Sequence, residues 1–139
     1  MTNEPPIRFT PWTHWPERNR AKNAHLPGVY LIARWEVAPP DKVDALAQAI
    51  VYVGEITEGS LMGRWQQFAR AAFEGKPGHA GGMKYRDIFG DEGDTLYVAA
   101  FVPEGLSREM RSLYIRYVER KLVWEWARRW GDAPLCNTK

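Results

Sequence analysis

Two short apolar runs, Gly28 to Trp35 (GVYLIARW) and Ala49 to Gly54 (AIVYVG), set the tightest limits on what this chain can fold into. Both are rich in the β-branched and aromatic residues that suit a pleated surface. The first follows the Leu26-Pro27 turn signal and the second ends on its own glycine, so they read as two strands that pair with each other. Each carries a compact triplet of glycine, valine and tyrosine: Gly28-Val29-Tyr30 in one, Tyr52-Val53-Gly54 in the other. A later run, Thr95 to Val102 (TLYVAAFV), reads as a third strand.

Helical spacing appears between and after these runs. Ser60 is placed to cap a helix in which Leu61, Trp65, Phe68 and Ala72 recur at three- and four-residue intervals, with Met62, Ala69 and Phe73 widening the apolar stripe. Ser107 similarly opens a long final helix. Pro39-Pro40 break the chain, and Asp41 is expected to cap a short helix over Lys42 to Gln48. The stretch Gly75 to Gly82 (GKPGHAGG) holds four glycines in eight residues and reads as a flexible loop. Residues 1–25, with Pro5, Pro6, Pro11 and Pro16 among Phe9, Trp12 and Trp15, read as an extended strap over the core of a domain spanning 26–139. The order β-β-α-β-α predicts an α+β fold, a small central β-sheet of about three strands flanked by helices.

At 139 residues the chain has room for one core. Apolar and charged shares of 45% and 26% are ordinary for a globular protein and point to neither a disordered nor a membrane class. No apolar run approaches the roughly 18 residues of a membrane span. A single cysteine, Cys136, closes no internal disulfide and builds no thiolate zinc site. A reducing, cytoplasmic setting is therefore expected. The net charge of +2 advertises no polyanion by itself, yet the segment 108–130 sets seven cations against three glutamates.

One of those glutamates, Glu119, is chemically suggestive. Its helical neighbours at minus four, plus three, plus four and plus seven are Ile115, Leu122, Val123 and Trp126. A carboxylate among apolar side chains needs a cationic partner: a metal, an arginine from another element, or Arg116 one turn back. Arg64 sits at the border of the first helix's apolar stripe, beside Leu61 and Phe68. Two phenols, a guanidinium and a carboxylate make a plausible phosphodiester-cleaving set.

Taken in order, these residues resemble the GIY-YIG nuclease superfamily. Gly28-Val29-Tyr30 and Tyr52-Val53-Gly54 look like its two signatures, Arg64 lies in the helix after the second, Glu119 in a later helix, and Asn137 near the end. The resemblance runs from about Leu26 to Asn137. It implies a DNA endonuclease with Tyr30, Tyr52, Arg64, Glu119 and Asn137 in the active site and one magnesium or manganese ion on Glu119. Tyr30 would help deprotonate the attacking water, Arg64 would stabilise the charged transition state, and Asn137 would hold the site together. Gly54, His79, Lys84 and Arg86 are candidate substrate contacts, and a homodimer or a targeting partner would supply a second cut or specificity. Two departures stand out: Glu55 occupies a place where many members carry lysine, and Phe68 a place where some carry histidine. The competing expectation is a non-catalytic nucleic-acid-binding module on the same fold.

Overall fold

The computed structural model describes residues 4–138. Their strands are β1 (Thr13–His14), β2 (Gly28–Arg34), β3 (Ile50–Ile56) and β4 (Leu96–Phe101), and their helices α1 (Leu61–Glu74), α2 (Ala80–Phe89) and α3 (Arg108–Trp130), with a short 3-10 helix over Trp15–Arg20. All strand pairs are antiparallel and the sheet order is β1-β4-β2-β3. The α+β expectation holds. The sheet has four strands rather than three, because the strap does more than lie across the core: Thr13 and His14 pair with Val98 and Tyr97 of β4.

Alternation along β2 divides the interior into two layers. Tyr30 and Ile32 point to the side covered by Leu61, Trp65, Phe68 and Ala72 of α1 and Tyr85 of α2. Val29, Leu31 and Ala33 point to the other side, against Ile115, Val118, Leu122, Val123 and Trp126 of α3. The β2 side chains from Val29 to Ala33 have no exposed surface. The helix starts are as expected: Ser60 Oγ accepts from the Gly63 amide at 3.0 Å and Ser107 Oγ from the Met110 amide at 3.2 Å.

Two local expectations fail, each for a tertiary reason. Residues 42–48 form turns, not a helix. Asp44 rather than Asp41 caps locally, accepting from the Leu46 amide, and the Leu46 and Ala47 carbonyls accept from the Trp130 and Trp126 indoles of α3 at 2.9 Å each. The glycine-rich stretch is only half a loop, since α2 begins at Ala80. A methyl on Gly82 would lie 2.7 Å from the Phe68 carbonyl oxygen and 2.8 Å from Ala71 Cβ, so this glycine marks the close approach of α1 and α2 rather than flexibility.

A polar cluster closes the turn between α2 and β4. Glu92 accepts from Arg34 at 2.8 Å and from the Thr95 hydroxyl at 2.9 Å. These bonds, that from Arg34 foremost, hold its carboxyl down to about 2. A folded-state value below the ordinary one gives stability that is complete above the unfolded carboxyl's range and is lost as pH falls towards 2. The pair is partly exposed, so the contribution is about 1 kcal/mol at most. Urea unfolding of wild type and Glu92→Gln should show a gap at about pH 6 that narrows below about pH 4 and closes only towards about pH 2.

Candidate active site

The register places Tyr30 directly opposite Gly54. That pairing explains why glycine follows the second signature: an added Cβ would meet the Tyr52 ring at 2.5 Å and the Tyr30 Cζ and Oη at 2.6 and 2.7 Å. Gly54 is therefore the floor beneath both phenols. The two rings lie 5.9 Å apart, Tyr30 meets Trp65 edge-on at 6.1 Å, and Tyr52 packs 6.2 Å from Phe68. Phe68 thus fills with an aromatic wall the place where histidine was noted as absent.

His79 enters this cluster from a different element. It caps α2, its Nδ1 accepting from the Gly82 amide at 3.1 Å, while its Nε2 lies 2.9 Å from the Tyr30 hydroxyl. Its ring is edge-on to Tyr52 at 5.4 Å and to Phe68 at 5.3 Å, and only 2% of the residue is exposed. Little of the residue is thus left open to a substrate. Burial, assisted by the Arg64 charge, pushes the imidazole down to about 3, so it stays neutral at ordinary pH.

Arg64 completes one side. Its guanidinium donates to Gln67 and, at 3.4 Å, to the Gly78 carbonyl. Its charge acts on Tyr30, Tyr52 and His79 alike. Burial is the larger influence on both phenols and raises them above the ordinary value, Tyr30 well above it, with Arg64 opposing. Tyr30 has no exposed surface, whereas Tyr52 is half-buried.

Glu119 belongs to α3 on the opposite layer, but α3 packs against the edge strand β3, and the Glu119 carboxylate acts electrostatically on Tyr52. Its nearest cation is Arg120 at 3.8 Å, not Arg116. Burial raises its carboxyl above the usual range, Arg120 opposes this, and Glu55 adds to it. Glu55, which stands where many members of the resembled family carry lysine, is thus near enough for its charge to act on Glu119, and its Oε2 is buried without a hydrogen-bond partner.

Asn137 works on the backbone. Its Oδ1 accepts from the Val53 amide and its Nδ2 donates to the Val53 carbonyl, both at 2.9 Å, while the Cys136 amide donates to Val51. The tail thereby pairs with the open edge of β3 and holds the segment between Tyr52 and Gly54. Asn137→Ala should lower unfolding free energy by about 1–2 kcal/mol, measured in urea. Asn137→Asp, which keeps an acceptor and loses the donor, should not restore it.

Two expected substrate contacts lie elsewhere. Arg86 donates to the Ala72 carbonyl at 3.1 Å and closes the end of α1; Lys84 is close enough for its charge to act on buried Cys136. The signal for the residue whose place was misread was present: a histidine three positions before Gly82 has the spacing of an N-cap. Two clefts, of about 740 and 770 Å³, run along the strap and include none of these residues. Among the described residues no group of three or more His, Cys, Asp or Glu side chains is placed to hold a metal, and no helix is long and apolar enough to cross a membrane. No protein-family model, curated protein or solved structure matches the chain. What the fold and the site define by themselves is an α+β protein with a buried tyrosine-histidine cluster opening towards an arginine and two carboxylates.

Proposed function

We propose that this chain is a metal-dependent endonuclease that hydrolyses DNA phosphodiester bonds through a GIY-YIG-type site. The observation that carries the proposal is the meeting of Tyr30, Tyr52, Arg64 and Glu119, from β2, β3, α1 and α3, in one electrostatically coupled group. A guanidinium that faces two phenols without a carboxylate of its own is available to a phosphate. Exposed Arg116, Arg120, Arg128 and Arg129 on α3 supply further attraction for a polyanion.

Magnesium or manganese fits the carboxylates. Such an ion is held by one or two protein oxygens and keeps several waters, so a larger ligand cluster is not required. Glu119 would hold it, and Glu55, whose Oε2 is orphaned and whose charge acts on Glu119, would supply a second oxygen. When bound, the ion would polarise a phosphate oxygen. Arg64 binds the phosphate and opposes its growing negative charge, Tyr52 at the opening donates to it or to the attacking water, and Tyr30 supports Tyr52 from behind. Burial keeps both phenols protonated in the resting site, so they begin as donors.

That protonated state also favours the second reading, a nucleic-acid-binding module without catalysis. Supercoiled plasmid incubated with the protein and magnesium separates the two. Nicking that depends on Glu119 supports the enzyme; salt-sensitive binding with the plasmid left intact supports the module.

A further inference from the structure

We propose that His79 is the positioning residue of this site: locked in one tautomer by the Gly82 amide, it donates through Nε2 to the Tyr30 hydroxyl oxygen and turns that hydroxyl's hydrogen towards Tyr52 and the opening. The inference rests on the proposed catalytic reading for its consequence, though not for its geometry.

The direction of each bond follows from the donors available. A backbone amide only donates, so at 3.1 Å from Gly82 N the His79 Nδ1 is an acceptor and carries no hydrogen. In a neutral imidazole the hydrogen then lies on Nε2, which sits 2.9 Å from Tyr30 Oη in a buried pair. The Tyr30 oxygen receives that hydrogen, and its own must point elsewhere. The neighbouring group able to accept it is the Tyr52 hydroxyl, whose ring lies 5.9 Å from that of Tyr30, since Arg64 on the same hydroxyl can only donate. A cationic imidazole would break the arrangement, since both nitrogens would then donate, and Arg64 nearby together with burial opposes that cation.

The helix start makes this arrangement rigid. His79 caps α2, and α2 is packed against α1 at Gly82 without room for a methyl group, so the element that carries His79 is held against the element that carries Arg64. Free rotation of the Tyr30 hydroxyl would spread its hydrogen over several directions; a donor on its lone pair removes those that do not serve Tyr52. The titratable groups facing the phenol pair are His79 from the start of α2, Arg64 from α1, Glu55 from β3 and Glu119 from α3.

Long-range proton-nitrogen NMR of the His79 ring in the intact protein tests the geometry without reference to activity. Nε2 protonated and Nδ1 bare, unchanged from about pH 8 to about pH 5, is the expected result. The opposite tautomer, or titration near the ordinary histidine value, overturns the proposal. Two variants test the consequence. His79→Asn keeps a capping acceptor but its amide is too short to reach Tyr30, so melting near the wild-type temperature with plasmid nicking reduced about tenfold is expected. His79→Gln carries a donor long enough for Tyr30 and gives up the cap, so nicking should recover relative to Asn despite lower stability. Activity that follows melting temperature across both variants shows a merely structural role and overturns the proposal. Should wild type leave plasmid intact, the catalytic reading fails while the tautomer still decides the geometry.

Discussion

Gly54→Ala should destabilise the protein by about 3 kcal/mol, the upper end of the usual overpacking cost, and lower its melting temperature by about 10 °C. The added methyl would stand within 2.5 to 2.7 Å of atoms on both phenols. Neither ring has room to retreat. Tyr30 is backed by Trp65 and tied to His79, and Tyr52 is closed in by Gly81, where a Cβ would also lie 2.5 Å from its ring. The clash has a genetic test. In a Tyr52→Ala background the same glycine substitution should cost clearly less, because one of the two obstructing rings is gone. Thermal melts of the four proteins measure the coupling, and strictly additive losses would contradict the contact.

Arg64→Ala should leave the fold intact and reduce phosphodiester cleavage about 100-fold or more, the size of effect expected when a preorganised charge is removed from a transition state. The side chain bonds to Gln67 and the Gly78 carbonyl on the partly open edge of the site and makes no ion pair among the described residues, so melting should change little. Arg64→Lys should recover only part of the activity, since an ammonium cannot present a planar pair of donors to a phosphate. Loss of the charge should also move the phenols further up and release His79 upwards, because Arg64 opposes the first shift and contributes to the second. A plasmid-nicking time course, compared with circular dichroism melts, separates the catalytic effect from a structural one.

Much of this arrangement was legible because it lies in short-range pattern. The strands at Gly28 and Ile50, the caps at Ser60 and Ser107 and the long α3 follow from local composition and spacing, and all stand within two residues of where the chain suggests them. The Tyr30–Gly54 opposition was half legible: both residues drew notice, but only the register of β2 on β3 shows that one accommodates the other. What escaped depended on distant partners. Asp41 to Gln48 has helical composition, yet the Trp126 and Trp130 indoles take its carbonyls. Gly81 and Gly82 suggest a loop by propensity, whereas the approach of Gly81 to the Tyr52 ring and of Gly82 to α1 demands small residues in a helix. His79 read as a loop residue for the same reason, whereas it caps α2 and is buried. Glu55 read as the loss of a positive contact; in place its charge acts on Glu119 and helps raise that carboxyl, a relation between distant positions that the sequence does not display.

The central claim is that Glu119 serves metal-dependent hydrolysis. It is tested most directly by following supercoiled plasmid with purified wild type and Glu119→Gln, each with magnesium and with excess chelator. The account predicts nicking by wild type with magnesium alone, and none above background from the isosteric variant under either condition. Equal cleavage by the two proteins, or equally intact plasmid with both, would contradict it.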